Sequence, residues 1–324
     1  MKATTTTIPI GIVSIIIPTH WYQLTTHRFT MNNKKTIKKH INISLDIGYM
    51  SIFFSRHSTW EYDFITNELL ADINLENKNI LVVNHATDIE KVRELVDKHD
   101  PHIVFHLSDE DGSKPEWLTL FSSAKYVFRQ YNHPHYNYPA NSFQIPLGYA
   151  SGYKNYNSSM KSIIDRMYSA AFIGELKSDR YEMVSVFERN MDKSTLFFRE
   201  TRNNWDLSKL QFSPSATNEI YGDAIFVPIG RGNISLDCFR IYEAIVSGAI
   251  PVIVGPENEI NNTLKYDGYM PAFIYAPNWD EAVRICKELM KHKTTVLQNV
   301  QNYNNEWWEN QIQIIRKRIL LALD

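Results

Sequence analysis

From about residue 46 onward, short apolar runs alternate with stretches whose apolar residues recur every three or four positions. The runs have the length of strands buried on both faces, and the periodic stretches that of amphipathic helices. In the first half, residues 61–71 predict a helix and 79–84 a buried strand; 88–98 predict a helix with Asp88 as N-cap and an acidic first turn. Residues 102–107 predict a strand that ends in the polar loop 108–112, Ser-Asp-Glu-Asp-Gly. A helix over 117–124 and a strand over 125–129 follow. This βαβαβ order is that of a parallel sheet with helices on its faces.

Residues 146–159 are turn-rich and carry no apolar period, so the chain divides there. A second series follows, with strands expected at 169–174, 194–198, 224–228, 249–254 and 272–275. Helices are expected at 179–190, 236–247 and 280–291, with a long helical tract from about 295. Two such arrays joined by one linker predict an α/β protein of two Rossmann-like domains facing across a cleft, with ligands beyond the carboxyl ends of the strands. The expected division is an N-terminal extension over 1–45, a first Rossmann-like domain over 46–157, a second over 158–300 and a C-terminal helix over 301–324. Trp307 and Trp308 should dock that last helix on the N-terminal domain.

The first 45 residues lack a period and are rich in Thr, Lys and Asn. Their apolar stretch 8–17 is interrupted by Pro9 and Gly11 and is shorter than the roughly 18 residues of a membrane span. It reads as a strand or a loose extension, and no small-residue cleavage site follows it cleanly. Lys34, Lys35, Lys38 and Lys39 read as a solvated face.

Composition narrows the function. A length of 324 residues, 44 % hydrophobic and 22 % charged, is that of an ordinary globular protein with two domains. A formal net charge of −2 leaves no electrostatic footprint for nucleic acid. Cys238 and Cys286 form neither a disulfide framework nor a zinc pattern, which with the lack of an apolar run long enough to span a membrane predicts a cytoplasmic protein; a monomer is expected.

The chemistry concentrates in residues 226–254. A buried strand runs into Gly230-Arg231-Gly232, a loop that lets backbone approach a ligand. Ser235 is a candidate N-cap for the next helix, whose first N–H groups would face the cleft and suit phosphate. Asp237, Arg240 and Glu243 are spaced by three and would share one side of that helix. Gly248 would end it. An arginine beside an anion site and a carboxylate one turn deeper suit a nucleoside diphosphate, whose ribose hydroxyls the carboxylate can accept. A capped amphipathic helix with a surface Arg–Glu pair has the same spacing.

Ser235, Arg240, Glu243-Ala244 and the string 248–252, Gly-Ala-Ile-Pro-Val, resemble the exostosin-like glycosyltransferases. The run from Cys238 to Ala244 is most similar to a xylosyltransferase branch that includes ribitol-linked and large-algal-virus enzymes. Phe172-Ile-Gly174 with Arg180 resembles the opening strand, turn and helix of the same domain. The resemblance covers about residues 46–324. It implies a GT-B fold, a UDP-sugar donor (xylose first), a glycan acceptor, inversion and no essential metal or other cofactor. By the same resemblance, Glu243 would hold the ribose, while Ser235, Arg240 and Arg180 would serve the diphosphate. Gly174, Gly230, Arg231, Gly232 and Asp237 complete the expected donor site.

An inverting transfer needs a base on the acceptor hydroxyl. The loop after the strand 102–107 offers Asp109 first and Glu110 next. Asp109-Glu-Asp111 is also the spelling of the metal-binding D-x-D of the GT-A architecture, and a solvated acidic turn would look alike. Arg129, Tyr131 and His133, after the next strand, are candidates for the acceptor side. A nucleotide-sugar epimerase or phosphorylase on the same fold, or a non-catalytic nucleotide-sugar-binding protein, would share the donor motif.

Overall fold

The computed structural model describes residues 5–7, 16–18, 51–54, 60–75, 78–113, 115–133, 135–154, 159–191, 194–199, 210–266 and 268–323. Most of the expected extension, its basic stretch and the boundary at 157/158 lie outside the described residues. Within the extension, β1 (Thr5–Thr7) and β2 (Ile16–Pro18) pair antiparallel, with Thr6 opposite Ile17.

The first large sheet contains β3 (Ser51–Phe54), β4 (Asn79–Asn84), β5 (Ile103–Leu107), β6 (Tyr126–Arg129) and β7 (Ser142–Gln144). They lie side by side in chain order, all parallel. Helix α1 (Ile89–His99) starts where the sequence places it, because the Asp88 carboxylate accepts the N–H groups of Glu90 and Lys91. Helix α2 (Glu116–Leu120) is shorter than expected and passes into turns before Ala124. The expected helix over 61–71 contains a π-helical segment, Phe64–Leu69. Its wider turn brings Phe64 and Leu69, five positions apart, towards one buried face.

The second sheet runs β9 (Thr195–Arg199), β8 (Tyr168–Gly174), β10 (Ala224–Ile229), β11 (Ile250–Val254) and β12 (Ile274–Ala276), again all parallel. The chain moves outward from β8 to β9, then returns past β8 to place β10 on its other side. The gap between the carboxyl ends of β8 and β10 is therefore the topological switch point, where ligands bind in open α/β sheets. Helices α3 (Arg180–Asn190), α4 (Pro214–Gly222), α5 (Phe239–Val246), α6 (Glu257–Leu264) and α7 (Trp279–His292) surround the sheet. The sequence reading missed α4 and α6. Only Tyr221 in the first, and Ile260 and Leu264 in the second, are buried, too few apolar positions to set a period.

Helix α8 (Thr294–Leu323) begins on the second domain and ends on the first. Leu297 and Val300 enter the core beneath α7. Further along, the Trp308 ring lies 5.7 Å from that of Phe64 and 6.3 Å from that of Tyr149. The Arg316 guanidinium donates to the carbonyls of Glu68 at 2.9 Å and Ala71 at 2.5 Å. One apolar cluster thus contains Phe105 and Phe128 of the first sheet, Ile173 and Val227 of the second, and Trp308. Two parallel α/β units facing across a cleft, tied by a returning C-terminal helix, make the GT-B architecture. Among the described residues no helix is long and apolar enough to cross a membrane.

Candidate functional site

A cleft of about 240 Å³ lies at the switch point, with the first domain on its other side. The second domain contributes Glu175, Lys177 and Arg180 from the turn after β8 and the start of α3. It adds Gly232, Asn233, Asp237 and Cys238 from the loop after β10, and Phe239, Arg240 and Glu243 from α5. The first domain contributes Trp60, Glu110 and Tyr131.

The two arginines are held in place by backbone. Arg180 donates to the carbonyls of Glu175 at 3.1 Å and Arg231 at 2.5 Å, so it braces the loop after β10. Arg240 Nε donates to the Ile173 carbonyl at 2.8 Å, and its guanidinium lies over the Phe172 ring. Gly174 and Gly230 leave the room these arginines use: a Cβ at 174 would meet the Arg240 guanidinium, and one at 230 the Arg180 stem. Burial lowers the Lys177 pKa, and repulsion from Arg180 lowers it further, a sign of positive charge gathered on one side of the cleft. Glu243 is buried one turn into α5. The cleft therefore offers three cations and a carboxylate behind them.

Three residues of this region, Ser235, Asp237 and Arg231, depart from expectation. Helix α5 begins at Phe239, with Cys238 at its N-cap position and no side-chain cap. Ser235 lies three residues earlier and instead accepts the Asp237 N–H at 3.0 Å, because residues 230–237 form a loop rather than a first helical turn. Asp237 precedes the helix and does not share its face with Arg240 and Glu243. Its carboxylate accepts the hydroxyls of Tyr242 at 2.7 Å and Tyr266 at 3.2 Å, and burial pushes its pKa up to about 7. Arg231 points away from the cleft and grips Glu259 with two hydrogen bonds of 2.6 and 2.5 Å.

The first domain divides its candidates in the same way. Asp109 is 1 % exposed and pairs with Arg129 at 2.5 Å, so neither side chain lines the cleft. The His133 ring contacts the Asp109 carbonyl at 2.6 Å and is buried with them. Tyr131 does face the cleft, with a left-handed φ of 58° that a non-glycine residue rarely adopts. Glu110 faces it too. Asp111 is half exposed and accepts the Ser113 N–H at 3.1 Å.

Trp60, Glu175, Lys177, Asn233 and Phe239 line the cleft without having been anticipated. Lys177, three residues past the glycine that ends β8, was the most findable, since such turns face the switch point.

Among the described residues, His85, His106 and Asp109 offer metal-ligand atoms within 4.8 Å of one another. His85 Nδ1 lies 3.2 Å from His106 Nε2, and His85 Nε2 lies 3.4 Å from the Asp109 carboxylate. His106 stacks on Trp117 with ring centroids 4.6 Å apart. Its pKa lies well below the usual imidazole value, through burial first and the Arg129 charge second. Arg129 already supplies the positive charge that balances Asp109, and a dication would sit beside it.

The family profile described as the RXYLT1 C-terminal domain matches residues 151–324, more than half of the chain and all of the second domain's lining of the cleft. The chain belongs to the RXYLT1 C-terminal domain family. Human ribitol-5-phosphate xylosyltransferase 1 (Homo sapiens) is 27 % identical over 227 residues, which cover 61 % of this chain and 48 % of that protein. The Mus musculus protein of the same name is 26 % identical over 229 residues, with the same coverage of 61 % and 48 %. The chain thus spans about half the length of these curated relatives. Among solved structures, T4 phage BGT in complex with UDP and Mn2+ aligns with a TM-score of 0.46 at 12 % identity, over 85 % of this chain and 99 % of that one. Anabaena HepE in complex with UDP-glucose aligns with a TM-score of 0.45 at 8 % identity, over 85 % and 99 %.

Proposed function

We propose that the protein is a glycosyltransferase that moves a sugar, xylose first, from UDP to a hydroxyl of a glycan acceptor, with inversion and without an essential metal. The observation that carries this reading is the convergence of Lys177, Arg180 and Arg240 at the switch point, with Glu243 behind them. The family and the relatives named as xylosyltransferases favour the transferase class and the pentose. The exostosin-like resemblance of residues 235–252 favours inversion.

The chemistry follows from the placement. Glu243 accepts the ribose hydroxyls, and the three cations meet the diphosphate. As the acceptor oxygen bonds to the anomeric carbon, the bond from that carbon to the diphosphate breaks and its electron pair leaves with UDP. Fixed positive groups stabilise that charge as it develops, the part a metal plays elsewhere. The hydroxyl proton passes to a carboxylate. Glu110 is the acidic residue of the 108–112 loop that lines the cleft, and it takes this role; Asp109, paired beneath it, holds the loop. Trp60 and Tyr131 offer apolar faces for a sugar ring.

A thermal-shift and hydrolysis screen against UDP, GDP and CMP and their sugars, with and without EDTA, tests the reading. Selective stabilisation by UDP with EDTA-resistant hydrolysis of UDP-xylose is expected. A protein that no nucleotide stabilises would remove the donor site, and activity abolished by EDTA would return the metal-dependent alternative.

A further inference from the structure

Glu110 belongs to the first domain, yet its carboxylate is bonded to the second. Its Oε1 accepts the backbone N–H of Ile234 at 2.8 Å and of Ser235 at 3.1 Å, and its Oε2 accepts the Asn233 side-chain amide at 3.0 Å. Two successive backbone N–H groups converging on one oxygen form an anion-binding nest. The loop is closed by the Gly232 N–H, which donates to the Ser235 carbonyl at 2.8 Å. Gly232 also leaves the carboxylate its space, because a Cβ there would fall 2.6 Å from Glu110 Oε1. Lys177 donates to the Asn233 side-chain oxygen, which leaves that amide's nitrogen turned to Glu110. Glu110, Gly232 and Asn233, which surround the nest, line the same cleft as Arg180 and Arg240.

To such donors a carboxylate and a phosphate are the same kind of guest: anionic, and acceptor-only. We propose that Glu110 is an internal stand-in for a phosphate group, seated on the Ile234 and Ser235 N–H groups when the cleft is empty and displaced when a diphosphate arrives. Naming the guest a donor diphosphate rests on the nucleotide-sugar reading above; the competition holds for any phosphate anion. Two anions cannot share the nest, so binding exchanges an interdomain contact for a ligand contact. The freed carboxylate then stands in the cleft without its amide partners. An empty protein has its proton acceptor tied down, and the donor that needs the acceptor releases it.

The test uses amide hydrogen exchange at Ile234 and Ser235, read by NMR, in the wild type and Glu110→Ala, with inorganic pyrophosphate as the probe. UDP and uridine titrations run alongside. Removing the carboxylate should speed exchange at both amides about tenfold, and pyrophosphate should slow it again at about a tenth of the concentration the wild type needs, given the strength of hydrogen bonds to charged groups. UDP should bind Glu110→Ala more tightly than the wild type, while uridine, which lacks phosphate, binds both alike. Should Glu110→Ala fold poorly, Glu110→Gln keeps the shape without the charge and should shift in the same direction by less. Exchange unchanged by the substitution, or equal pyrophosphate protection of both proteins, overturns the proposal. Pyrophosphate competition as expected, with UDP bound by neither protein, leaves the stand-in standing and removes the nucleotide-sugar reading.

Discussion

The Arg129 guanidinium lies 2.5 Å from the Asp109 carboxylate, and both side chains are at most 3 % exposed. A charged pair so far from water is tolerated because each member answers the other. Removing one leaves the second buried and uncompensated. Arg129→Met should therefore cost about 3–5 kcal/mol in urea unfolding, whereas Asp109→Asn combined with Arg129→Met should cost clearly less than the sum of the two single changes. A loss below about 1 kcal/mol for Arg129→Met would mean that the pair is not what holds the 108–112 loop.

Glu243→Ala should weaken UDP binding about 10–150-fold, the loss of roughly 1.5–3 kcal/mol of charge-assisted hydrogen bonding. Its melting temperature should stay within a few degrees of the wild type. Calorimetric titration reads the first quantity and a thermal melt the second. A folded variant with undiminished affinity would take Glu243 out of the donor site.

Two buried carboxyls make stability fall as pH rises. Burial pushes Glu61, from its ordinary 4.5, and Asp237, from its ordinary 3.8, each up to about 7. A group with a higher pKa folded than unfolded contributes its full stability below the unfolded value and loses it as pH climbs through the folded one. Their share of the stability should accordingly decline between about pH 4 and pH 7 and then level off, while the lowered pKa of His106 adds an opposing rise towards its ordinary 6.5, so the carboxyl share is read as the difference between the wild type and a variant without them. The pair Glu61→Gln and Asp237→Asn should flatten that slope and gain most at pH 8. A wild-type midpoint that does not fall relative to that of the double variant over this range would reverse the sign of both assignments.

Trp308 joins rings from both domains in one cluster. Trp308→Ala should cost about 3–5 kcal/mol and separate the cooperative unfolding of the two units. Scanning calorimetry should show two transitions where the wild type shows one. A single transition displaced by a few degrees would mean that the remaining interdomain contacts suffice.

The parallel sheets were readable because their strands are near-continuous apolar runs, as in Ile80 to Val83 or Ile250 to Ile253, and because Asp88 and Gly248 mark helix ends by their own chemistry. Spacing misled at Asp237, where a period of three looked helical. Whether its carboxylate is left for a ligand or engaged by a pair of tyrosines depends on Tyr266, 29 positions away. The acidic loop shows the same limit. Asp109 and Glu110 are neighbours in sequence, but Arg129 takes one inward and the amides of the other domain take the second. Trp60 had no local signal at all, since only the approach of the two domains makes it part of a site.

The return of α8 has a consequence for how the chain is made. Arg316 closes on the Glu68 carbonyl, 248 positions earlier in the chain. A nascent chain emerges from the ribosome in order, so the first domain waits with Phe64 and Tyr149 uncovered until nearly all of the second has been translated. For that interval the half-made protein offers an apolar surface that a chaperone would hold, and a chain broken off before Trp308 would keep that surface permanently.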